Sequence, residues 1–95
     1  MTSTPDSDSD KSAEAIRTAQ RHAGDIMAGV VSPYDGARRI WKECQLLLQR
    51  GDHRLDPFVY WASEYEDTSD DTRRALCDKA VRDAATRFIE HGTAI

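Results

Sequence analysis

The chain has 95 residues, 32% of them charged, and its formal net charge is −4. A chain of this length forms one domain and buries only about 60% of the surface that its unfolded form exposes, so any site lies on the surface or in a shallow cleft. Residues 1–10 contain three aspartates and no base, whereas residues 11–95 carry 13 basic and 14 acidic side chains. This near-neutral balance argues against a broad electrostatic footprint for nucleic acid.

The first eleven residues, MTSTPDSDSDK, are almost entirely polar. Such a segment cannot repay its ordering entropy, so we predict a disordered acidic tail over residues 1–11 and a single helical domain over residues 12–92. The segment lacks the basic and apolar regions of a secretory leader, and no apolar run approaches the about 20 residues needed to span a bilayer. We therefore expect a soluble cytoplasmic protein without a membrane partner.

The first helix is predicted over about residues 12–28. Its apolar residues recur at steps of three and four, which places them on one helical stripe. The stripe consists of Ile16, Ala19, Ala23, Ile26 or Met27, and Val30. Gly29 is the natural end of this helix, because glycine enters the left-handed conformation without steric cost.

The second helix is predicted over about residues 33–50, with Ser32 as its N-cap and Pro33 in its first turn. Its apolar face consists of Ala37, Ile40, Trp41, Cys44, Leu47 and Leu48. Gly36 lies inside the helix, where glycine costs about 1 kcal/mol relative to alanine. Its presence predicts close approach between the first two helices, or between the second helix and an aromatic ring of the third.

Two further helices are predicted over about residues 57–66 and 70–91. In the third, Asp56 is the expected N-cap and Pro57 opens the first turn, while the aromatic residues of FVYWASEY are expected at the centre of the core. The fourth begins at TSDD, places Leu76 and Ile89 on its inner side and ends at Gly92. No segment alternates as a half-buried strand does. The sequence therefore predicts an all-α, compact four-helix domain.

We expect no metal, no cofactor and no catalytic residue. The aspartates of DSDSD have the spacing that opens a calcium-binding loop, but Lys11 and Arg17 occupy the positions that need glycine and glutamate. No histidine or cysteine lies three or four residues from another, as a structural zinc site normally requires. Cys44 and Cys77 are expected on apolar helix faces as reduced, buried thiols.

Two clusters of charge remain as candidate sites. Basic residues follow Gly36 in the second helix, and the run SEYEDTSDD contains five carboxylates with no base inside it. Such an acidic run can steer a basic partner to the surface beside it, although a solvated loop with helix caps explains it equally well. The candidate partner-binding residues are Arg38, Arg39, Glu64, Glu66, Asp67, Asp70 and Asp71.

The motif AG, six residues, then GARRIW, followed by DPFVYWASEYED, resembles a group of small uncharacterised bacterial all-helical proteins, many of them from actinobacteria. The resemblance covers about residues 16–89. It implies a helical fold and a compact stand-alone product, and no reaction. If the matched positions form a functional surface, the resemblance implies Arg38, Trp41, Ser63 and Glu64; core packing explains Trp41 equally well.

These features favour a small protein-binding module, with an immunity-type protein that neutralises a basic toxin as its most specific form. The alternative is a small enzyme or ligand-binding bundle, in which Glu64, Glu66 and a histidine converge on a cleft lined by aromatic residues. The rings expected to line that cleft are those of Trp41, Tyr60 and Trp61. Helix-turn-helix-like DNA binding is a minor alternative, suggested by basic residues on the second and fourth helices. Acidic residues interspersed among them speak against it.

Overall fold

A computed structural model describes the backbone of residues 6–95 and the side chains of residues 10–95. The described part is all-α, as predicted, with four helices and one short turn of 3₁₀ helix. The helices are α1 (Asp6–Met27), α2 (Pro33–Glu43), α3 (Asp56–Asp67) and α4 (Asp71–His91), and the 3₁₀ turn is Gln45–Leu47.

Helix α1 begins at Asp6, six residues before the expected start at Ser12. Residues 6–11, which the sequence predicted as part of the tail, are therefore helical; residues 1–5 of that prediction lie outside the described residues. Residues 6–11 contain neither glycine nor proline, and extending an existing helix adds one hydrogen bond for each residue fixed. The low content of apolar residues was therefore not sufficient to predict where this helix begins.

The α1–α2 corner, residues 28–37, follows the predicted signals. Gly29 has φ of +76°, its N–H donates to the carbonyl of Ile26, and the Val30 N–H donates to the carbonyl of Asp25 at 2.9 Å. These two bonds form a Schellman motif, which satisfies carbonyls that a helix end leaves free. Val30 itself is 70% exposed, so its predicted place on the buried stripe is wrong, and Ile26 rather than Met27 is buried.

Gly36 explains how closely α1 and α2 approach. A Cβ added to Gly36 would lie 2.5 Å from Cδ1 of Ile26, which is 3% exposed. Of the two approaches predicted for this glycine, the structure shows the one between the first two helices. Ser32 caps α2 as expected, because its hydroxyl accepts a hydrogen bond from the Asp35 N–H at 3.1 Å.

Helix α2 ends at Glu43, seven residues before the predicted end at residue 50. The N–H of Leu47 donates to the carbonyl of Cys44, and Leu48 is already extended with φ of −77° and ψ of 152°. We attribute the early end of α2 to tertiary packing, because the extended backbone at Leu48 lets this side chain pack against the core, and Leu55 further along is fully buried. The predicted burial of Leu47 is wrong, since 46% of it is exposed.

Helix α3 begins one residue earlier than predicted, and Asp56 is not its N-cap. Leu55 occupies the cap position without a side-chain hydrogen bond, and Asp56 is the first helical residue. The Asp56 carboxylate instead lies 2.8 Å from Nδ1 of His53. Helix α4 agrees with its prediction within one residue: Asp70 caps it by accepting from the Thr72 N–H, and Gly92 closes it with φ of +75°.

The core lies between the four helices. Helices α1 and α3 each pack against both α2 and α4, and α2 also contacts α4 across the bundle. Phe58 and Phe88 meet edge to face at the centre, with ring centroids 5.8 Å apart. In the described part of the chain, no helix combines the length and the apolar character needed to cross a bilayer.

Candidate functional site

The predicted acidic residues of α3 point to different neighbours. Nη2 of Arg73, on α4, donates to Oε1 of Glu64 at 2.5 Å. Glu66 lies toward α2, where the Tyr34 hydroxyl donates to its Oε2 at 2.7 Å and Nε of Arg38 lies 3.6 Å from the same oxygen. Although the run contains no base of its own, other helices supply a base to each of these two carboxylates.

The contacts around Glu66 join α2 to α3. The rings of Tyr34 and Tyr65 are stacked, with centroids 4.4 Å apart and planes 13° apart. Burial and the hydrogen bond to Glu66 raise the pKa of Tyr34, so its hydroxyl stays protonated and remains a donor. Arg38 and Glu66 therefore take part in holding two helices together, which is a structural role for two of the predicted site residues.

Arg39 has a different environment from Arg38. It is exposed, and within residues 10–95 it has no carboxylate within 4 Å. Arg74, which was not among the predicted site residues, instead joins α4 to α3: its Nε donates to the Thr68 carbonyl at 3.0 Å, and its guanidinium lies 4.9 Å from the centre of the Tyr65 ring. This arginine contact depends on how α3 and α4 pack, so no local sequence pattern predicts it.

The remaining predicted acids form what we call the acidic turn: Asp67, Asp70 and Asp71. All three are exposed at the connection between α3 and α4. Asp70 accepts a hydrogen bond from the Thr72 N–H at 3.0 Å, and Asp71 lies in the first turn of α4, where a carboxylate suits the helix dipole. Among the described residues, no lysine or arginine pairs with these three carboxylates within 4 Å, so their charge faces solvent.

Beside the acidic turn lies a surface that we call the α3–α4 face: Tyr60, Trp61, Glu64, Arg73 and Leu76. Tyr60 is 53% exposed and meets Trp61 edge to face at 4.8 Å, while Trp61 is half-buried against the core. Leu76 is 49% exposed and lies one helical turn after Arg73.

Three sequence predictions of burial on α3 and α4 are wrong. Leu76 and Ile89 were expected on the inner side of the fourth helix, but Leu76 is 49% and Ile89 44% exposed. Tyr60 was expected among the core aromatics. The buried positions of α4 form a narrower stripe that includes Cys77, Val81 and Phe88. Leu76 and Ile89 lie outside this stripe.

The arrangement that the enzyme alternative needs is not formed by the described residues. His22 binds Glu43, His53 binds Asp56, and His91 lies near Glu90, so none of the three approaches Glu64 or Glu66. Four surface grooves of about 580, 380, 310 and 300 Å³ are lined by residues of α1, of segment 46–54 and of the end of α4. None of these four includes Glu64, Glu66 or the three aromatic residues expected to line the cleft.

Both cysteines are buried free thiols, as predicted. Burial, helped by the nearby Glu43 carboxylate, raises the pKa of Cys44 to about 11. Burial likewise raises the pKa of Cys77. Thiols in this state are weak nucleophiles at neutral pH, because the thiolate is the reactive form. Within residues 10–95 no three histidine, cysteine or carboxylate side chains gather as a metal site would require.

Comparison of the chain with protein-family models, with curated proteins and with solved structures gave no match. The similarity to small actinobacterial helical proteins therefore stays a prediction. Of its four matched positions, Arg38 and Glu64 form the ion pairs described above. Trp41 is half-buried against the core under the Lys42 ammonium, 3.9 Å from the ring centre, and Ser63 is half-buried.

Proposed function

We propose that this protein acts by binding another protein through the α3–α4 face, with the acidic turn beside it directing a partner that carries a basic surface. The observation that supports this most is the exposure of Tyr60 and Leu76 next to Trp61 and the Glu64–Arg73 pair. Packing within the domain does not require an exposed tyrosine and an exposed leucine on adjoining helices.

The chemistry of the face suits a binding surface. Tyrosine, tryptophan and arginine are the residue types that most often dominate binding energy at protein interfaces, because they bring a large contact area and a polar group together. Trp61 supports the Tyr60 ring, and Glu64 holds Arg73 in place. A partner therefore meets a partly ordered set of side chains, which lowers the entropy lost on binding.

The acidic turn adds electrostatic direction to the same surface. Its three carboxylates have no basic partner within residues 10–95 and lie at the connection that follows α3. Exposed charge of one sign attracts a partner of the opposite sign and raises the association rate more than the affinity. The proposed partner is a protein with a basic surface, and its association rate is expected to fall as salt is added.

The most specific form of the proposal is an immunity-type protein that covers the active site of a basic toxin. An exposed tyrosine beside an acidic turn supports this form, since an inhibitor needs a compact surface and charge complementary to its target. A cytoplasmic location belongs to the same proposal, and so do the predicted contributions of Arg39 and the acidic turn to binding.

The immunity role predicts that a toxin gene lies directly upstream of the gene for this protein, and the test uses that toxin. Co-expression of the wild-type chain is expected to rescue cells from that toxin, and Tyr60→Ala is expected to abolish the rescue without loss of folded protein. Val30→Ala is the matched control, because Val30 is 70% exposed at the α1–α2 corner, away from the α3–α4 face. Absence of rescue by the wild type contradicts the immunity role, and full rescue by Tyr60→Ala contradicts the assignment of the face.

A further inference from the structure

A second surface lies around the 3₁₀ turn, which contacts α1 and α2. Leu46 is 81% exposed and Leu47 is 46% exposed. Together with Lys11 and Arg50 they line a groove of about 580 Å³ between the start of α1 and the segment after α2. A neighbouring groove of about 300 Å³ shares Lys11 and Leu47 and extends along α1.

Among the described residues, Leu46 and Leu47 do not belong to the hydrophobic core. The helix ends before them, and the chain turns so that Leu48 and Leu55 fill the core instead. On the facing part of α1, Asp10 and Lys11 are exposed, and Ser12 is the first buried residue among the side chains that the structure describes. Two exposed leucines and two exposed charged residues of α1 thus line adjoining grooves.

The charges around the groove have both signs. Lys11 and Arg50 make no ion pair within 4 Å with any described residue, and neither does Asp10. The acidic turn, in contrast, carries one sign only. In a two-fold symmetric dimer each copy presents the same surface, so a surface that holds unpaired charges of both signs can complement itself.

We propose that a second copy of this chain docks on the groove, forming a two-fold dimer. Leu46 and Leu47 of the two copies pack against each other, and Asp10 of each copy faces Arg50 of the other. A basic partner is disfavoured here, because Lys11 and Arg50 would repel it. The dimer leaves the α3–α4 face of each copy open, so it does not depend on the proposed function.

The first experiment is sedimentation equilibrium of the wild-type chain. The apolar contact is small, so we expect weak association, with a Kd between about 10 μM and 1 mM. The apparent mass should rise from the monomer mass of 10.7 kDa toward twice that value as the concentration increases over this range. A mass that stays at the monomer value throughout overturns the proposal, whether the groove is empty or serves another protein.

Two sets of variants test the interface itself. Leu46→Asp is expected to keep the chain monomeric, whereas Leu76→Asp, which places the same charge at an exposed leucine of the α3–α4 face, should leave the dimer intact. Both leucines are exposed, so both variants should fold, and circular dichroism checks this. Equal loss of dimer in the two variants, or retention in Leu46→Asp, overturns the assignment of the groove.

A charge exchange tests the predicted pairing of Asp10 with Arg50. Asp10→Arg and Arg50→Glu should each weaken self-association at least tenfold, because each variant faces like charges across the two-fold axis. Mixing the two variants should restore a heterodimer, since one native pair and one exchanged pair then form. Failure of the mixture to associate while each variant remains folded contradicts this pairing.

Discussion

The α1–α2 corner and the α3–α4 face show how differently two connected pairs of helices use their side chains. At the corner, Gly29 closes α1, Ser32 opens α2, and Gly36 lets the two helices approach. At the face, Tyr60 and Leu76 remain about half exposed beside packed helices. We therefore expect the corner to contribute mainly to stability and the face, as proposed, mainly to binding, and substitutions should separate the two contributions.

The largest expected change in stability comes from Gly36→Ala at the corner. The added methyl group would overlap the buried Ile26 side chain, and overpacking of this kind costs about 2–3 kcal/mol in the free energy of unfolding. Gly24→Ala is the matched control, because a Cβ there meets nothing within 4 Å and the substitution should stabilise α1 by about 0.5–1 kcal/mol. Denaturant unfolding measures both values. Equal effects of the two substitutions would contradict the close approach of α1 and α2.

The double substitution Ser32→Ala with Asp35→Ala tests the start of α2. It removes the hydroxyl that accepts from the Asp35 N–H and the carboxylate in the first helical turn. We expect a loss of about 1–2 kcal/mol in the free energy of unfolding, with partner binding unchanged. Weaker binding at full stability would instead make the corner part of the binding site.

A third substitution, Asp52→Asn, lies outside both regions, and its effect on the free energy of unfolding should depend on pH. Three contacts from the Arg54 side chain hold the Asp52 carboxylate, the shortest at 2.7 Å, and they lower its pKa. The stabilisation is therefore complete above the pKa of the unfolded chain and is lost as the pH falls through the lower folded value.

Asp52→Asn should cost about 1 kcal/mol at pH 7, and the difference from wild type should shrink below about pH 4. Thermal unfolding across this pH range measures it. A difference that stays constant with pH would show that the charge of Asp52 has no role. Partner binding at pH 7 should not change, because Asp52 and Arg54 line a groove with residues of α1 and are not part of the α3–α4 face.

The smallest changes in stability are expected at the α3–α4 face. Tyr60→Ala and Leu76→Ala remove side chains that are 53% and 49% exposed, so each should change the free energy of unfolding by less than about 0.5–1 kcal/mol. Chemical denaturation provides the measurement. A loss of several kcal/mol at either position would mean that the residue is part of the packing and that the contrast with the corner fails.

The corner was predictable from the sequence because its signals are local. A glycine that closes a helix, a serine that opens one and a proline in the first turn each act within a few residues. Most helix bounds therefore agree with the prediction within one or two residues, and the caps at Ser32 and Gly92 are confirmed.

The prediction failed where distant contacts decide the structure. The end of α2 depends on how Leu48 and Leu55 reach the core, and the cap of α3 depends on His53, which binds the expected capping carboxylate. The carboxylates of α3 looked unpaired because Arg38 and Arg73 lie 28 and 9 residues away from their partners. Sequence patterns do not show how one helix is aligned against another, so these ion pairs could not be inferred.

The most direct test of the proposed function is calorimetric titration with three forms of this protein, using the toxin domain that the immunity role predicts to be encoded directly upstream. Wild type and the Ser32→Ala, Asp35→Ala double variant should bind with the same Kd, while Tyr60→Ala should bind at least about 30-fold more weakly, as for a central interface residue. Equal affinity of Tyr60→Ala and wild type would contradict binding through the α3–α4 face.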